Sequence, residues 1–249
     1  MSVQEAIRNS AAKSAGEICV EDVRIGLGYT GVLLDTGQMG LAYTFHRDLP
    51  GGCCVFHGLR PLRGRQAKDL IALLGSPEKV ECAVALATCN AVLNRTGGQL
   101  KEGDILDHVH VSPRDNICMI GNFAPMVPAL KRKAASLKIF EEVDKPIGDI
   151  LPSKMAAEYF PQCQVALISS TSIINNTLDS ILASAVSCRE VVLLGASTPL
   201  APEAFRGTPV TLLSGVVITD TKRILNVVSE GGGTRQFRNG AVKVNVRIS

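Results

Sequence analysis

The sequence contains no tryptophan, and aromatic residues make up only 4% of its 249 positions. It also has little net charge, because 26 basic and 23 acidic side chains leave a formal charge of +3 at pH 7. Proteins that bind nucleic acid usually cluster basic side chains on one face, and those that bind single strands add aromatic side chains on which bases stack. The chain has neither feature, so we expect no nucleic-acid partner.

Long apolar runs are missing as well. No stretch approaches the roughly 20 apolar residues that a membrane-spanning helix needs. The first 17 residues mix Gln4, Glu5 and Arg8 with apolar side chains, which is typical of an amphipathic helix and not of a signal peptide. Hydrophobic residues still make up 46% of the chain, enough for a sizeable core. We therefore predict a globular cytoplasmic protein without a membrane partner.

Cysteine is plentiful, with eight residues. A free cysteine behaves as a small hydrophobic residue, and the cytoplasm keeps thiols reduced, so we expect buried free thiols where cysteines lie in apolar patterns. The state of the adjacent pair Cys53 and Cys54 stays open. The cysteines in apolar patterns are Cys19, Cys82, Cys89, Cys118, Cys163 and Cys188.

Strands and helices alternate from Asn116 onward. Such alternation is typical of a parallel sheet with crossover helices, so we predict a Rossmann-like region here. Two local signals agree: Pro125 suits the first turn of a helix, and Asp220 can cap one. The predicted strands are 117–120, 138–143, 164–168, 191–194, 210–217 and 242–248, and the predicted helices are 125–133, 153–159, 172–187, a short one near Pro202, and 221–229.

The first half begins with a helix and continues with short strands broken by glycine turns, which is typical of a β-meander. Two further helical patterns follow. A polar segment at 96–113 then separates the two halves, and domain boundaries usually fall in such segments. We predict an α/β protein in two domains, an α+β domain at 1–100 and a Rossmann-like domain with a mostly parallel sheet at 101–249. Within the first domain, the helix is expected at 1–17, the meander at 18–45, and the later helices at 66–74 and 77–93.

One familiar motif occurs in the meander. The segment 26–31 reads G-x-G-x-x-G, which binds a dinucleotide only where a strand precedes the glycines and a helix follows them. Here Val32, Leu33 and Leu34 follow and predict another strand. We therefore interpret these glycines as turns.

Three predicted strands of the second half end in small polar residues. The clusters lie at 121–123, 169–172 and 195–199. In open α/β sheets the carboxyl ends of parallel strands line the crevice where ligands bind, so we predict a small-molecule site at this edge. The residues expected to contact the ligand are Gly121, Asn122, Phe123, Thr171, Asn175, Gly195, Ser197, Thr198 and Pro199.

Glu141 is a further candidate. It follows Gly121 by 20 positions, the usual offset for an acid that binds a ribose hydroxyl. The alternatives remain open, because a glutamate at a strand end is often only solvated and residues such as Thr171 and Asn175 often only cap a helix.

No strong metal motif is present. Histidines and cysteines share one loop, and two histidines are spaced to share one face of a strand, but neither spacing contains the paired C-x-x-C of recognisable zinc sites. We predict no metal site. The residues concerned are His46, Cys53, Cys54 and His57 in the loop, and His108 and His110 in the strand.

Four segments together resemble the putative heavy-metal chelation family, which joins an enolase-N-terminal-like domain to a Rossmann-like domain. They are CAVALATCNA at 82–91, MIGNF at 119–123, TSIINNTL at 171–178 and LGASTPLAP at 194–202. The resemblance covers nearly the whole chain. It implies a pocket between the domains, with Asn90 from the first facing the strand ends of the second, and a partial likeness to Rossmann methyltransferases.

The resemblance also implies a role in chelator, pterin or flavin-related metabolism, with an S-adenosylmethionine-like or pterin-like ligand. The residues themselves leave three hypotheses open. The first is an enzyme that performs condensation, hydrolysis or group transfer on a small polar metabolite. The second is a non-catalytic module that binds a chelator or metal complex. The third is a structural subunit, in which the strand ends are ordinary caps, and the sequence also leaves open whether the chain forms a homo-oligomer.

Overall fold

The computed structural model describes residues 1–48, Phe56 and residues 60–248. Within these ranges the chain forms a three-stranded sheet and a larger, mostly parallel sheet of eight strands. The predicted α/β class is confirmed. No helix in the described part of the chain combines the length and the apolar character that crossing a membrane would require.

The first sheet is an antiparallel meander, as predicted, in which the middle strand pairs with both neighbours. Residues 26–28 of the G-x-G-x-x-G segment form the hairpin turn between the first two strands, where the Gly26 N–H donates to the Tyr29 carbonyl at 3.0 Å, and its last glycine, Gly31, lies in the second strand. No helix follows these glycines, so the turn interpretation is confirmed. The elements are α1 (Val3–Ala15), β1 (Val20–Ile25), β2 (Tyr29–Leu34), β3 (Met39–Tyr43), α2 (Ala67–Ile71) and α3 (Lys79–Leu93).

Helix α3 is the most deeply buried helix of this half. Twelve of its fifteen residues are buried, so its whole circumference is enclosed rather than the single face that the spacing predicts. It packs against β2 and β3 on one side and against α1 and α2 on the other. The short side chains of its alanines let neighbouring elements approach its backbone. Strand β3 comes so close that only glycine fits at position 40.

Replacing Gly40 with alanine tests this contact. The added Cβ would overlap the Ala87 carbonyl oxygen and the Ala91 nitrogen, both of which are backbone atoms that cannot rotate away. We expect Gly40→Ala to lower the free energy of unfolding by at least about 3 kcal/mol, or to prevent folding, because overpacking shifts the backbone. Gly233→Ala is the matched control, since its Cβ would meet nothing within 4 Å. Equal midpoints in chemical denaturation for the two variants would contradict the close packing.

The second sheet has the strand order 4-11-10-9-8-5-6-7. Strands β5 to β10 run parallel, whereas β11 is antiparallel to β10 and β4. The chain passes from β5 outward to β6 and β7, and then returns to place β8 on the other side of β5. The elements are β4 (Lys101–Glu102), β5 (Asn116–Ile120), α4 (Val127–Lys133), β6 (Ser136–Glu141), β7 (Ile150–Pro152), α5 (Ala156–Tyr159), β8 (Val165–Ser169), α6 (Leu178–Ser184), β9 (Glu190–Leu194), β10 (Leu212–Ile218), α7 (Thr221–Ser229) and β11 (Ala241–Arg247).

Several predicted boundaries are wrong. The helix expected at 172–187 is a 3-10 turn, Ser170–Ile173, followed by α6, because Asn176 adopts a left-handed backbone conformation (φ 59°) that interrupts the helix. Helix α4 begins at Val127, after Pro125. The short edge strands β4 and β7 were not predicted, since two or three residues show no periodicity. The Asp220 cap is confirmed, because its side chain accepts from the Arg223 N–H at 3.0 Å.

The expectation of free thiols is wrong for two cysteines. Cys118 and Cys163 form a disulfide, with their Cα atoms 6.1 Å apart. The pattern predicted that both are buried, but not that β5 and the start of β8 are neighbours. Cys82, Cys89 and Cys188 are buried and free, Cys19 is free and half-buried, and burial raises the pKa of Cys188 to about 11. Cys53 and Cys54 lie outside the described residues.

Asp115 holds the start of the parallel sheet together. Its carboxylate accepts two hydrogen bonds from Arg189, at 2.7 and 2.6 Å, and one from the Ser112 N–H at 2.6 Å. Its carbonyl oxygen accepts from the N–H groups of 135 and 136, at the start of β6. The hydrogen bonds from Arg189 hold the pKa of Asp115 below its usual range.

Because this pKa is lowered by folding, the stabilisation is present above the unfolded pKa of about 3.9 and is lost as the pH falls through the folded pKa. We expect Asp115→Asn to lower the free energy of unfolding by about 2 kcal/mol at pH 7, and by progressively less as the pH falls below about 3.9 and through the folded pKa of Asp115. Urea denaturation at several pH values measures this. Asp144→Asn, at an exposed aspartate, is the control. A loss of stability in Asp115→Asn that does not change with pH would contradict the role of the Asp115 carboxylate.

Candidate functional site

The three polar strand ends meet at the carboxyl edge of the second sheet. A Cβ atom at Gly121, after β5, would lie 2.9 Å from the Cβ of Ser169 at the end of β8. A Cβ at Gly195, after β9, would lie 3.1 Å from the Ser170 Oγ. Both glycines have positive φ angles, 90° and 125°, which L side chains rarely adopt. The edge therefore brings the three clusters side by side, at the switch point where ligands bind in such sheets.

Asn122 and Glu141 are in direct contact. The Glu141 Oε1 accepts a hydrogen bond from the Asn122 N–H at 2.6 Å. This backbone amide is therefore already paired and is not available to an anionic ligand. The Asn122 side chain is exposed, and Phe123 is half-buried beside Gly121. The second carboxylate oxygen of Glu141 has no hydrogen-bond partner among the described residues. It remains available to a hydroxyl group.

Two of the predicted residues make local contacts at the turn after β8. The Thr171 and Ser169 hydroxyls lie 2.8 Å apart, and the Ser169 side chain caps the 3-10 turn. The Asn175 Oδ1 accepts from the Thr177 hydroxyl at 2.7 Å. Neither bond reaches a backbone N–H, so the Thr171 and Asn175 side chains do not cap a helix here: Ser169 caps the 3-10 turn, and the N-cap residue of α6, Thr177, makes no capping bond through its side chain.

Residues 195–199, here called the β9 loop, are joined to the first half of the chain by hydrogen bonds. The Asn90 Nδ2, on α3, donates to the carbonyl oxygens of Leu41 at 2.8 Å and Ser197 at 3.1 Å. The Ser197 hydroxyl accepts from the Tyr43 N–H at 2.8 Å. Ser197, Thr198 and Pro199 are all buried. The predicted site residues in the loop therefore lie against α3 and β3 rather than facing solvent.

Asn94 is a buried contact residue that the sequence analysis missed. Its Nδ2 donates to the Thr198 carbonyl at 2.9 Å, and its Oδ1 accepts from the Leu200 N–H at 2.7 Å. Its position at the C-cap of α3 suggests only the end of a helix. No local pattern shows that it reaches a loop more than 100 residues away.

Three buried polar atoms at this junction have no hydrogen-bond partner in the described structure: the Asn90 Oδ1, the Ser170 Oγ and the Thr198 Oγ1. The three residues, here called the buried trio, are at most 1% exposed. Asn90 and Ser170 both contact the β9 loop, which contains Thr198. Buried polar groups are nearly always hydrogen-bonded, so three unpartnered atoms around one loop mark this junction as a candidate place for a group that hydrogen-bonds to them.

The buried trio offers hydrogen-bonding groups but none that can transfer a proton at neutral pH by itself. It offers an amide oxygen and two hydroxyl groups, and no imidazole, thiol or carboxylate. The predicted pocket residues line neither of two described cavities, of about 370 Å³ at the amino edge of the second sheet and about 510 Å³ beside α1. The chemistry at this junction, if it occurs, therefore requires Glu141, a residue outside the described ranges or a bound cofactor.

The described histidines, His46, His108 and His110, form no metal centre with the other described residues. His108 and His110 lie in an irregular segment after a 3-10 turn, so the prediction that they share a strand face is wrong. Among the residues that the structure describes, no group of three or more His, Cys, Asp or Glu side chains is placed to hold a metal ion. Cys53, Cys54 and His57 of the predicted loop lie outside those residues.

Substitution of Asn94 tests the junction. We expect Asn94→Ala to lower the free energy of unfolding by about 2–3 kcal/mol, because it leaves the buried Leu200 N–H and Thr198 carbonyl without partners. Asn226→Ala is the matched control, since Asn226 is exposed on α7 and its side chain makes no hydrogen bond. A loss no larger than that of the control in urea denaturation would show that the junction does not depend on Asn94.

Comparison with known proteins identifies the family. Two family models match the chain, over residues 8–93 and 104–247, and both are described as putative heavy-metal chelation. An uncharacterised protein of Methanocaldococcus jannaschii is 23% identical over 99% of this chain and 96% of its own length.

Two solved structures share the fold. A protein of unknown function from Pyrococcus horikoshii has a TM-score of 0.86 and 24% identity, covering 99% of this chain and all of its own. A second one, from Desulfitobacterium hafniense, has a TM-score of 0.82 and 20% identity, covering 98% of both chains. At these identities the likeness shows the fold alone. From the family models, which together match most of its length, this chain belongs to the putative heavy-metal chelation family.

Proposed function

We propose that this protein binds a small polar metabolite where the β9 loop meets α3, and that it catalyses a condensation, hydrolysis or group transfer in chelator, pterin or flavin-related metabolism. The unpartnered atoms of the buried trio carry this proposal. A ligand group that hydrogen-bonds to them would offset the cost of leaving three buried polar atoms unpaired.

Glu141 supports a ligand that contains a ribose, such as S-adenosylmethionine. It ends β6, the strand beside β5, where α/β sheets place the acid that binds a ribose hydroxyl. One of its oxygens holds the Asn122 amide and so fixes the carboxylate, while the other is available. A pterin-like ligand would instead use the amide and hydroxyl groups of the buried trio.

A non-catalytic binding protein is the second candidate. The specific observation in its favour is that the buried trio contains no ionisable group. Direct binding of a heavy metal has less support, because soft metals favour thiolate and imidazole ligands, whereas the trio offers neutral oxygens. The family description mentions a heavy metal. These residues suit a metal that is already held by a bound chelator better than a metal that they would coordinate directly.

The test is native mass spectrometry of the purified protein, with S-adenosylmethionine and pterin as probes. We expect one of them, or a small molecule retained through purification, to bind, and Thr198→Val to weaken binding at least tenfold. Because the Thr198 hydroxyl has no partner in the part of the chain that the structure describes, this variant should keep or raise the melting temperature. Thr88→Val is the matched control: Thr88 is equally buried, but its hydroxyl donates to the Val84 carbonyl at 2.7 Å, so this variant should lose stability and keep ligand affinity.

The same measurement separates the two candidates. The appearance of a product mass during incubation supports an enzyme, whereas a ligand that stays unchanged supports a binding module. If no small molecule binds the wild-type protein, or if Thr198→Val binds as well as wild type, the site does not lie at the buried trio.

A further inference from the structure

A second candidate site lies at the opposite, amino edge of the large sheet. It is a cavity of about 370 Å³ between the start of β10 and the end of β11, next to β4. This volume is near the lower end of the range for small-molecule sites. The described lining residues are Gln99, Lys101, His108, Leu212, Asn245 and Arg247.

The charged side chains that line the cavity are basic. Arg247 is held in place, because its Nη1 lies 3.1 Å from a carboxylate oxygen of buried Glu190 and its Nη2 donates to the His108 carbonyl at 2.7 Å. The nearby Asp104 is already paired with Lys243, at 2.8 Å. The Lys101 ammonium has no ion pair or hydrogen bond within the described chain. The cavity thus offers an uncompensated positive charge beside a fixed guanidinium, which favours an anionic group.

Asn245 adds a fixed hydrogen-bond acceptor. Asn245 is 2% exposed, and its Nδ2 donates to the carbonyl oxygens of Gly103 at 3.1 Å and Lys101 at 3.3 Å. These two bonds fix the orientation of the amide. The Oδ1 that remains is buried and has no partner among the described residues. A ligand that satisfies this oxygen must carry a hydrogen-bond donor.

We propose that this cavity binds a small 2-hydroxy acid. The carboxylate lies against Lys101 and Arg247, and the hydroxyl group next to it donates to the Asn245 Oδ1. The apolar side chain of Leu212 contacts the carbon skeleton. This proposal does not rest on the function proposed above, because the buried trio lies at the other end of the strands.

The experiment is isothermal titration calorimetry with L-malate and succinate, at low salt and neutral pH. The two compounds have the same carbon skeleton and two carboxylates, and they differ only in the hydroxyl group that Asn245 would accept. A site built to hydrogen-bond a hydroxyl discriminates strongly against an analogue that lacks it. We expect malate to bind at least tenfold more tightly than succinate, and added salt to weaken both because the charges are partly exposed.

Lys101→Met should weaken malate binding about tenfold by removing one positive charge from the cavity. Lys222→Met is the matched control, since it makes the same change at an exposed lysine on α7, at the other edge of the sheet. Thr198→Val should leave malate affinity unchanged, which separates this site from the one at the buried trio. Undetectable malate binding, equal affinity for the two acids, or unchanged affinity in Lys101→Met would overturn the proposal.

Discussion

Both halves of this protein depend on the close packing of helix α3. The buried residues of the helix include Ala83, Ala85, Ala87 and Ala91, and Gly40 allows β3 to touch its backbone directly. The same buried core continues into β5, β8 and β9 of the large sheet. A bulky residue at these contacts would separate the meander from α3. The position of the β9 loop would then be lost as well, because Asn90 and Asn94 reach that loop from α3 and its C-cap.

The hydrogen bonds of the β9 loop explain why a binding site would lie there. Asn90 has one amide group, and it uses the nitrogen for two backbone carbonyls, so its buried oxygen has no hydrogen-bond partner among the described residues. The neighbouring hydroxyls of Ser170 and Thr198 are in the same situation. A loop needed only for stability would be expected to satisfy these atoms within the protein, since each unpaired buried group costs about 1–3 kcal/mol. Gly121 and Gly195 adopt positive φ angles that glycine reaches without strain, which lets the chain turn sharply at this edge.

The two edges of the large sheet differ in chemistry. The carboxyl edge presents neutral amide and hydroxyl oxygens, with Glu141 as the predicted acid. The amino edge presents Lys101 and Arg247 around a second buried asparagine, Asn245. Neutral donors and acceptors suit an uncharged heterocycle or ribose, whereas the basic edge suits a carboxylate. The two proposed sites would not compete for a ligand, because each is built from residues at a different end of the strands.

The sequence by itself determined the local features, because these depend on neighbouring residues. The alternation of strand and helix patterns predicted the Rossmann-like order of elements. The apolar residues after 26–31 predicted a strand there, and so a turn at the glycines, and Asp220 was correctly predicted to cap a helix. Tertiary structure alone decided the contacts between distant segments: the disulfide between Cys118 and Cys163, the reach of Asn94 to the β9 loop, and the cavity around Asn245. The residues joined by these contacts are separated by between 45 and more than 140 positions in the sequence. The packing of whole elements brings such residues together, and the local sequence does not show it.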